Sequence, residues 1–139
     1  MIEFNEFKIR TPEREILIDI TSQLQQIVRK SQIKEGTCRI FIPHTTAGIT
    51  INENADPSVQ KDIINYLKKI IPYGGGFGYN FRHGEGNSDA HIKSSFMGSS
   101  LEIFVHNGNI MLGTWQGLYF TEFDGPRNRN VYVQLQGES

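Results

Sequence analysis

The chain has 139 residues, 37% of them apolar and 11% aromatic, enough for a single domain spanning residues 1–139 with a real core. Its 14 basic and 15 acidic residues leave a net charge of −1 and form no basic stripe, which argues against nucleic-acid partners. No apolar run approaches the ~18 residues a membrane span needs, residues 1–6 lack a signal-peptide pattern, and Cys38 is the sole cysteine. A cytoplasmic protein without disulfides or membrane contact is expected.

Alternating apolar residues (Ile2, Phe4, then Phe7, Ile9) predict a half-buried strand over Ile2–Arg10, and a short second strand follows over residues 15–20. Thr21 is placed to cap a helix whose apolar stripe is Leu24, Ile27, Val28 and Ile33, ending before Gly36. Residues 37–43 and 48–52 read as strands. Asp56-Pro57 then starts a second helix, a carboxylate cap followed by a proline whose missing N–H costs nothing there. Its stripe runs Val59, Ile63, Ile64, Leu67, Ile70, Ile71 until Pro72, with Lys61, Lys68 and Lys69 as the solvated face. Residues 73–87 form a long glycine-rich loop. Ser88 or Asp89 caps a short helix closed by Gly98. Strands over 101–105 and 110–113 flank the hairpin signal Asn107-Gly108, and strands over 117–123 and 131–135 complete the set. Strands dominate, so the fold expected is α+β: a sandwich-like packing of mixed sheets with helices outside.

Polar side chains concentrate in four places: residues 44–57, 83–91, 113–116 and 122–127. Three of the four histidines, His44, His83 and His91, fall in them, and neutral imidazoles with an open position are a recurring divalent-metal pattern. The spacing matches no H-E-x-x-H or C-x-x-C motif, so scattered, hydrogen-bonded histidines are the competing reading. His106, beside the hairpin tip, reads as a surface residue. The run 74–78 fails G-x-G-x-x-G in every register and opens no helix. Glu53, Asp56, Asp89, Glu122 and Asp124 are the available carboxylates. Asp56 is accounted for by capping and Asp124 by a turn before Gly125-Pro126. Glu122 lies in a strand apolar on both sides, so it needs a partner. Glu122→Gln is therefore expected to spare the fold and impair the site, and Asp124→Asn mainly to cost stability.

The chain resembles the YjbQ family, described as secondary thiamine-phosphate synthases. The residues carrying the resemblance are His44-Thr45-Thr46 with 50–57, then 87–93, 100–108, Gly113-Thr114-Trp115-Gln116-Gly117 and 122–127. The resemblance implies an α+β sandwich, a homotrimer, and a histidine-lined site able to hold a divalent metal, zinc or magnesium, on His44, His83 and His91. The implied activity joins hydroxymethylpyrimidine diphosphate to a thiazole phosphate and releases pyrophosphate. In that scheme Glu53 or Glu122 serves as base or supports the metal, and Lys93 and Arg127 meet phosphate. Thr45, Thr46 and Asn52 line the substrate, while Trp115 and Gln116 seat its ring. The function expected is a metal-dependent enzyme on a small phosphorylated or heterocyclic substrate. Metal-assisted hydrolysis and non-catalytic small-molecule binding are the alternatives.

Overall fold

The computed structural model describes residues 1–139. Its elements are β1 (Ile2–Arg10), β2 (Ile16–Asp19), α1 (Thr21–Lys30), β3 (Glu35–Phe41), β4 (Ala47–Glu53), α2 (Pro57–Ile70), β5 (Gly75–Gly76), β6 (Tyr79–Asn80), α3 (Ser88–Met97), β7 (Ser100–His106), β8 (Asn109–Ile110), β9 (Gln116–Glu122) and β10 (Asn128–Glu138). A larger sheet has the order β1-β10-β3-β7-β8, a smaller one β2-β9-β4, and β5-β6 is a separate hairpin. All pairings are antiparallel.

Period-two burial sets the layers. Along β10, Val131, Val133 and Leu135 are fully buried while Tyr132 and Gln134 point to the other face. They meet Cys38, Ile40, Ile103 and Val105 of their own sheet and Ala47, Ile49, Leu118 and Phe120 of the smaller one. Fully burying a side chain of this size contributes roughly 1.5–3 kcal/mol before entropy is subtracted. Helix α1 joins the same core through Leu24 and Val28. The far side of the smaller sheet carries α2 and α3 over Leu17, Ile64, Ala90, Tyr119 and Phe123. The sandwich expected from the sequence is present, with α1 packed on it through one buried stripe and its other faces toward solvent.

Several ends differ from expectation for local reasons. Thr21 is the first helical residue rather than the cap: its N–H and hydroxyl both donate to the Asp19 carboxylate, at 2.9 and 2.6 Å. Ile33 is fully buried but lies beyond the end of α1. Asp56 caps α2 as expected, accepting from Ser58 N at 2.9 Å. In α3 the cap position falls to Asn87, because the Asp89 carboxylate is turned toward Arg14 and Lys93. The glycine-rich loop holds the small β5-β6 hairpin, and Asn107 and Gly108 take the positive φ values, 51° and 74°, that their hairpin requires.

Two charge clusters are buried. In one, Lys93 Nζ donates to Glu15 at 2.7 Å and Asp89 at 2.9 Å, and Arg14 forks onto Asp89 at 3.1 and 3.2 Å. Burial on its own would raise the Asp89 pKa, but the Arg14 and Lys93 bonds outweigh it and hold the carboxyl below the usual aspartate range. In the other, Glu122 is fully buried and accepts from Thr11 Oγ1 at 2.7 Å, Arg129 Nε at 2.8 Å, Asp124 N at 3.0 Å and also Arg129 Nη2. Gly125 has no room for a Cβ, which would sit 2.8 Å from Thr11 Oγ1 and 3.0 Å from Glu122 Cγ.

Glu122 therefore supports the fold, and the expectation that Glu122→Gln leaves it intact is corrected. The substitution strands the Arg129 charge inside the protein, which typically costs about 3–5 kcal/mol. Urea unfolding of Glu122→Gln should show a loss of that order, with Glu122→Gln/Arg129→Met recovering much of it. Equal unfolding midpoints for Glu122→Gln and the parent would refute the structural role.

Candidate functional site

Where β3 ends and the chain crosses to β4, residues 43–46 form one wall of a cavity of about 430 Å³. The other walls are His83, Glu85 and Asn87 before α3, His91 in its first turns, Asp124 and Arg127 in the turn after β9, and Arg129 at the start of β10. None of these residues is a hydrophobic one. A groove of about 610 Å³ between α2 and Met97 is larger, but its lining of Ile63, Tyr66 and Leu67 offers no comparable acid–base set. Size alone does not identify the site; chemistry does.

The three candidate histidines do share this cavity, but in unequal roles. His44 Nε2 accepts the Asn130 N–H at 2.9 Å, so in the neutral ring the proton sits on Nδ1. Burial, and then the nearby Arg129 charge, push the His44 imidazole below the ordinary histidine range. His83 and His91 stand edge to face with ring centroids 5.3 Å apart. The His83 side chain is half exposed and lies 3.9 Å from Glu85.

No group of three His, Cys, Asp or Glu side chains is arranged to take a metal ion, which corrects the three-histidine ligand set. The physical reason is at His44, whose Nε2 lone pair is already spent on the backbone. His83 and His91 pack edge to face, and Glu85 stands beside His83 alone. Two adjacent rings do not make a closed or catalytic zinc site.

Other expected residues divide by place. Thr46 is buried, its Oγ1 accepting from Arg129 Nη2 at 2.8 Å, and Thr45 is exposed, its carbonyl accepting from Ser94 Oγ at 2.6 Å. Arg127 donates to the Asp124 carbonyl at 2.7 Å and carboxylate at 2.9 Å. Glu122 is behind the wall rather than in it. Lys93 is 1% exposed and consumed by Glu15 and Asp89, so it is not free to meet phosphate. Glu53, Asn52, Trp115 and Gln116 stand at the wrong end of the smaller sheet. Ala47 pairs with Glu122 and Glu53 with Gln116, so about 20 Å of strand separates them from the histidines within one chain. There Gln116 Oε1 only accepts Gly113 N at 2.8 Å, and Asn52 Oδ1 accepts Glu53 N at 2.7 Å.

The sequence reading missed Arg129, Asn87 and the full part played by Asp124. Arg129 had a signal: it precedes Val131, Val133 and Leu135 at the same inward period, where a charge needs a buried partner. Asn87 donates to the Asp124 carboxylate at 2.8 Å, and its Oδ1 is buried without a protein partner.

Because the folded-state pKa of His44 is below the unfolded value of about 6.5, the unfolded chain binds more protons just below that pH. Stability should therefore fall on acidification through that window. His44→Gln keeps an acceptor for Asn130 N–H and should flatten this part of the profile, measured as urea midpoint against pH. An unchanged slope would mean that His44 is not held neutral.

Comparison with known proteins matches residues 5–138 to the family described as UPF0047 protein YjbQ-like. A UPF0047 protein of Methanocaldococcus jannaschii is 54% identical over 95% of this chain and 93% of its own length. The Bacillus subtilis UPF0047 protein YugU is 47% identical over 94% and 96%. Among solved structures, a YjbQ/UPF0047 protein of Clostridium acetobutylicum superposes with a TM-score of 0.90 at 51% identity, covering 95% of this chain and 99% of that one. A YbjQ-like protein of Sulfolobus solfataricus gives 0.91 at 34% identity, with 99% of both chains covered. Four places where polar side chains gather, one continuous fold and near-complete coverage agree: the chain belongs to the YjbQ (UPF0047) family.

Proposed function

We propose that this protein is an enzyme acting on a small phosphorylated substrate whose phosphate enters the His44–His83–His91 cavity. The observation that carries the reading is a cavity of about 430 Å³, within the usual range for small ligands, that unites two arginines with three histidines and has no hydrophobic lining residue. Arg127 is half exposed and, with Nε and Nη2 holding Asp124, turns its Nη1 side to phosphate oxygens, while Arg129 is fixed from behind by Glu122. A neutral His44 donates through Nδ1–H, and the orphaned Asn87 Oδ1 is an acceptor for a substrate N–H or O–H.

The reaction class best served is departure of a phosphate or diphosphate group. The arginines stabilise charge building on the leaving oxygens, and His83 or His91 delivers the proton. Thiamine-phosphate formation is the specific case we propose within that class, since its diphosphate leaving group matches the cavity's donors. Water in place of the thiazole nucleophile would make the same site a hydrolase. No helix here is long and apolar enough to cross a membrane. Cytoplasmic residence belongs to the same proposal: the sole cysteine is buried, with its thiol pushed up to about 12 by desolvation, and forms no disulfide.

A homotrimer is part of the proposal as well. What supports it is the uncovered face of the larger sheet, where Ile2, Phe4, Phe41 and Phe104 are exposed, and the exposed Trp115 at the remote loop. Light scattering at micromolar concentration should give three times the 15.8 kDa chain mass, and Phe4→Glu/Phe104→Glu should lower it. A monomeric parent would end that part of the reading.

Calorimetric titration with inorganic phosphate should show saturable binding, weakened about tenfold or more by Arg127→Gln, a side chain whose removal leaves the buried pair untouched. No binding, or equal binding by the variant, would overturn the phosphate site. Turnover of hydroxymethylpyrimidine diphosphate with thiazole phosphate, followed as pyrophosphate release, separately tests the specific reaction.

A further inference from the structure

Resting on the phosphate reading above, we infer that Arg82 is a further binding residue for the substrate's anionic group, and that residues 74–84 form a lid which delivers it by closing over the polar cavity. That cavity is short of positive charge. Arg127 is paired with Asp124 at 2.9 Å and Arg129 with Glu122, so each guanidinium in its wall is balanced by a carboxylate. Glu85 adds another carboxylate, and the His44 pKa is pushed down by burial and by Arg129. A phosphate group brings about −1.5 to −2 more charge. Arg82 stands next door. It lines a second cavity, of about 340 Å³, that shares His83 and His91 with the polar one. Of the three arginines lining the two cavities, it alone has no carboxylate partner.

The segment carrying Arg82 is tied only near its ends. Residues 74–84 make no hydrogen bond or ion pair to any residue outside 72–86. Gly75 N donates to Pro72 O at 3.3 Å, Phe81 N to Gly74 O at 3.1 Å and Gly86 N to His83 O at 3.1 Å, and the β5-β6 pairing is internal. Before the segment Tyr73 lies over Arg14, and after it Asn87 is bonded to Asp124. A Cβ placed at Gly74, whose φ is +91°, or at Gly84 would meet nothing within 4 Å, so both ends turn in open space. Local bonding between two fixed anchors is what a closing lid requires.

The hairpin tip adds an independent sign. Phe77 and Gly78 hold φ values of 53° and 78°, close to the 51° and 74° of Asn107 and Gly108. The chain thus builds one kind of two-residue turn twice, once with the favoured Asn-Gly and once with phenylalanine, a bulky residue that positive φ disfavours. Phe77 is 91% exposed, so its ring gains nothing in this arrangement to offset the strain. Closure takes the ring out of water and supplies that gain.

Calorimetric titration with inorganic phosphate should compare the full-length parent with Arg82→Gln, Arg82→Lys and Phe77→Asn. Arg82→Gln should bind about tenfold more weakly, as expected for loss of a charged hydrogen bond, and Arg82→Lys should recover part of the loss. Melting temperatures of both should match the parent, because the side chain is exposed and unpaired. Phe77→Asn, which suits the turn but removes the ring from the closed lid, should weaken binding about threefold. In the parent, saturating phosphate should slow amide hydrogen exchange over residues 74–84 about fivefold or more. Equal affinity of Arg82→Gln and the parent, equal affinity of Phe77→Asn and the parent, or exchange that phosphate leaves unchanged overturns the inference while leaving the Arg127 phosphate site intact. A parent that binds no phosphate would overturn the phosphate reading and this inference together.

Discussion

The structure turns on the contact between Glu122 and Arg129. Glu122 ends the central strand of the smaller sheet and Arg129 begins an internal strand of the larger one, so their ion pair ties the two layers together at one end of the sandwich. Taking both charges out of water is expensive, and a well-packed apolar pair of similar size is often as stable. What the pair supplies that an apolar pair lacks is direction. Glu122 also receives Thr11 and the Asp124 N–H, and Arg129 also grips Thr46. Three chain segments that would otherwise be independent loops are held at fixed mutual positions, and those loops carry His44, Asp124 and Arg127.

That arrangement divides the cavity into two kinds of wall. His44 is locked by the backbone of Asn130, which fixes its ring and leaves the proton on Nδ1. His83 and Glu85 sit on a largely exposed, glycine-containing segment with few buried partners. The loop is nevertheless anchored: Tyr73 lies over the Arg14 guanidinium at 5.2 Å, and Arg14 forks onto Asp89 at the start of α3. The second charge cluster thus does for the loop and α3 what the first does for the two sheets. Lys93, which the sequence offered as a phosphate ligand, is spent on that duty.

The layers were legible because they rest on period. Alternation over β1, the 3.6-residue stripe of α2 and the turn chemistry of Asn107-Gly108 and Asp56-Pro57 are local signals, and the chain obeys them. The site was legible only in part. Proximity in sequence put His44, Thr45 and Thr46 together correctly, but it also grouped Asn52 and Glu53 with them, although strand β4 carries those two away to the opposite end of its sheet. A strand is a ruler about 3.3 Å per residue long, and a motif that runs along one cannot converge on a single ligand. Trp115 and Gln116 lie at that same far end within one chain, since they stand where the strand that Glu122 closes begins.

The case of the histidines shows a different limit. Three imidazoles from separate segments line one cavity. Whether an imidazole can ligate depends on where its lone pair points, and that is decided by hydrogen bonds made across the fold. Asn130 lies 86 residues from His44, and no pattern near either one announces the contact. The same bond that removes His44 from a metal's reach holds it neutral and turns its remaining N–H into a donor. A site first read as one set of equivalent ligands is therefore better understood as a fixed donor facing an adjacent pair. The fixed part is His44, held by the Asn130 N–H, and the more exposed part is His83, packed edge to face against His91.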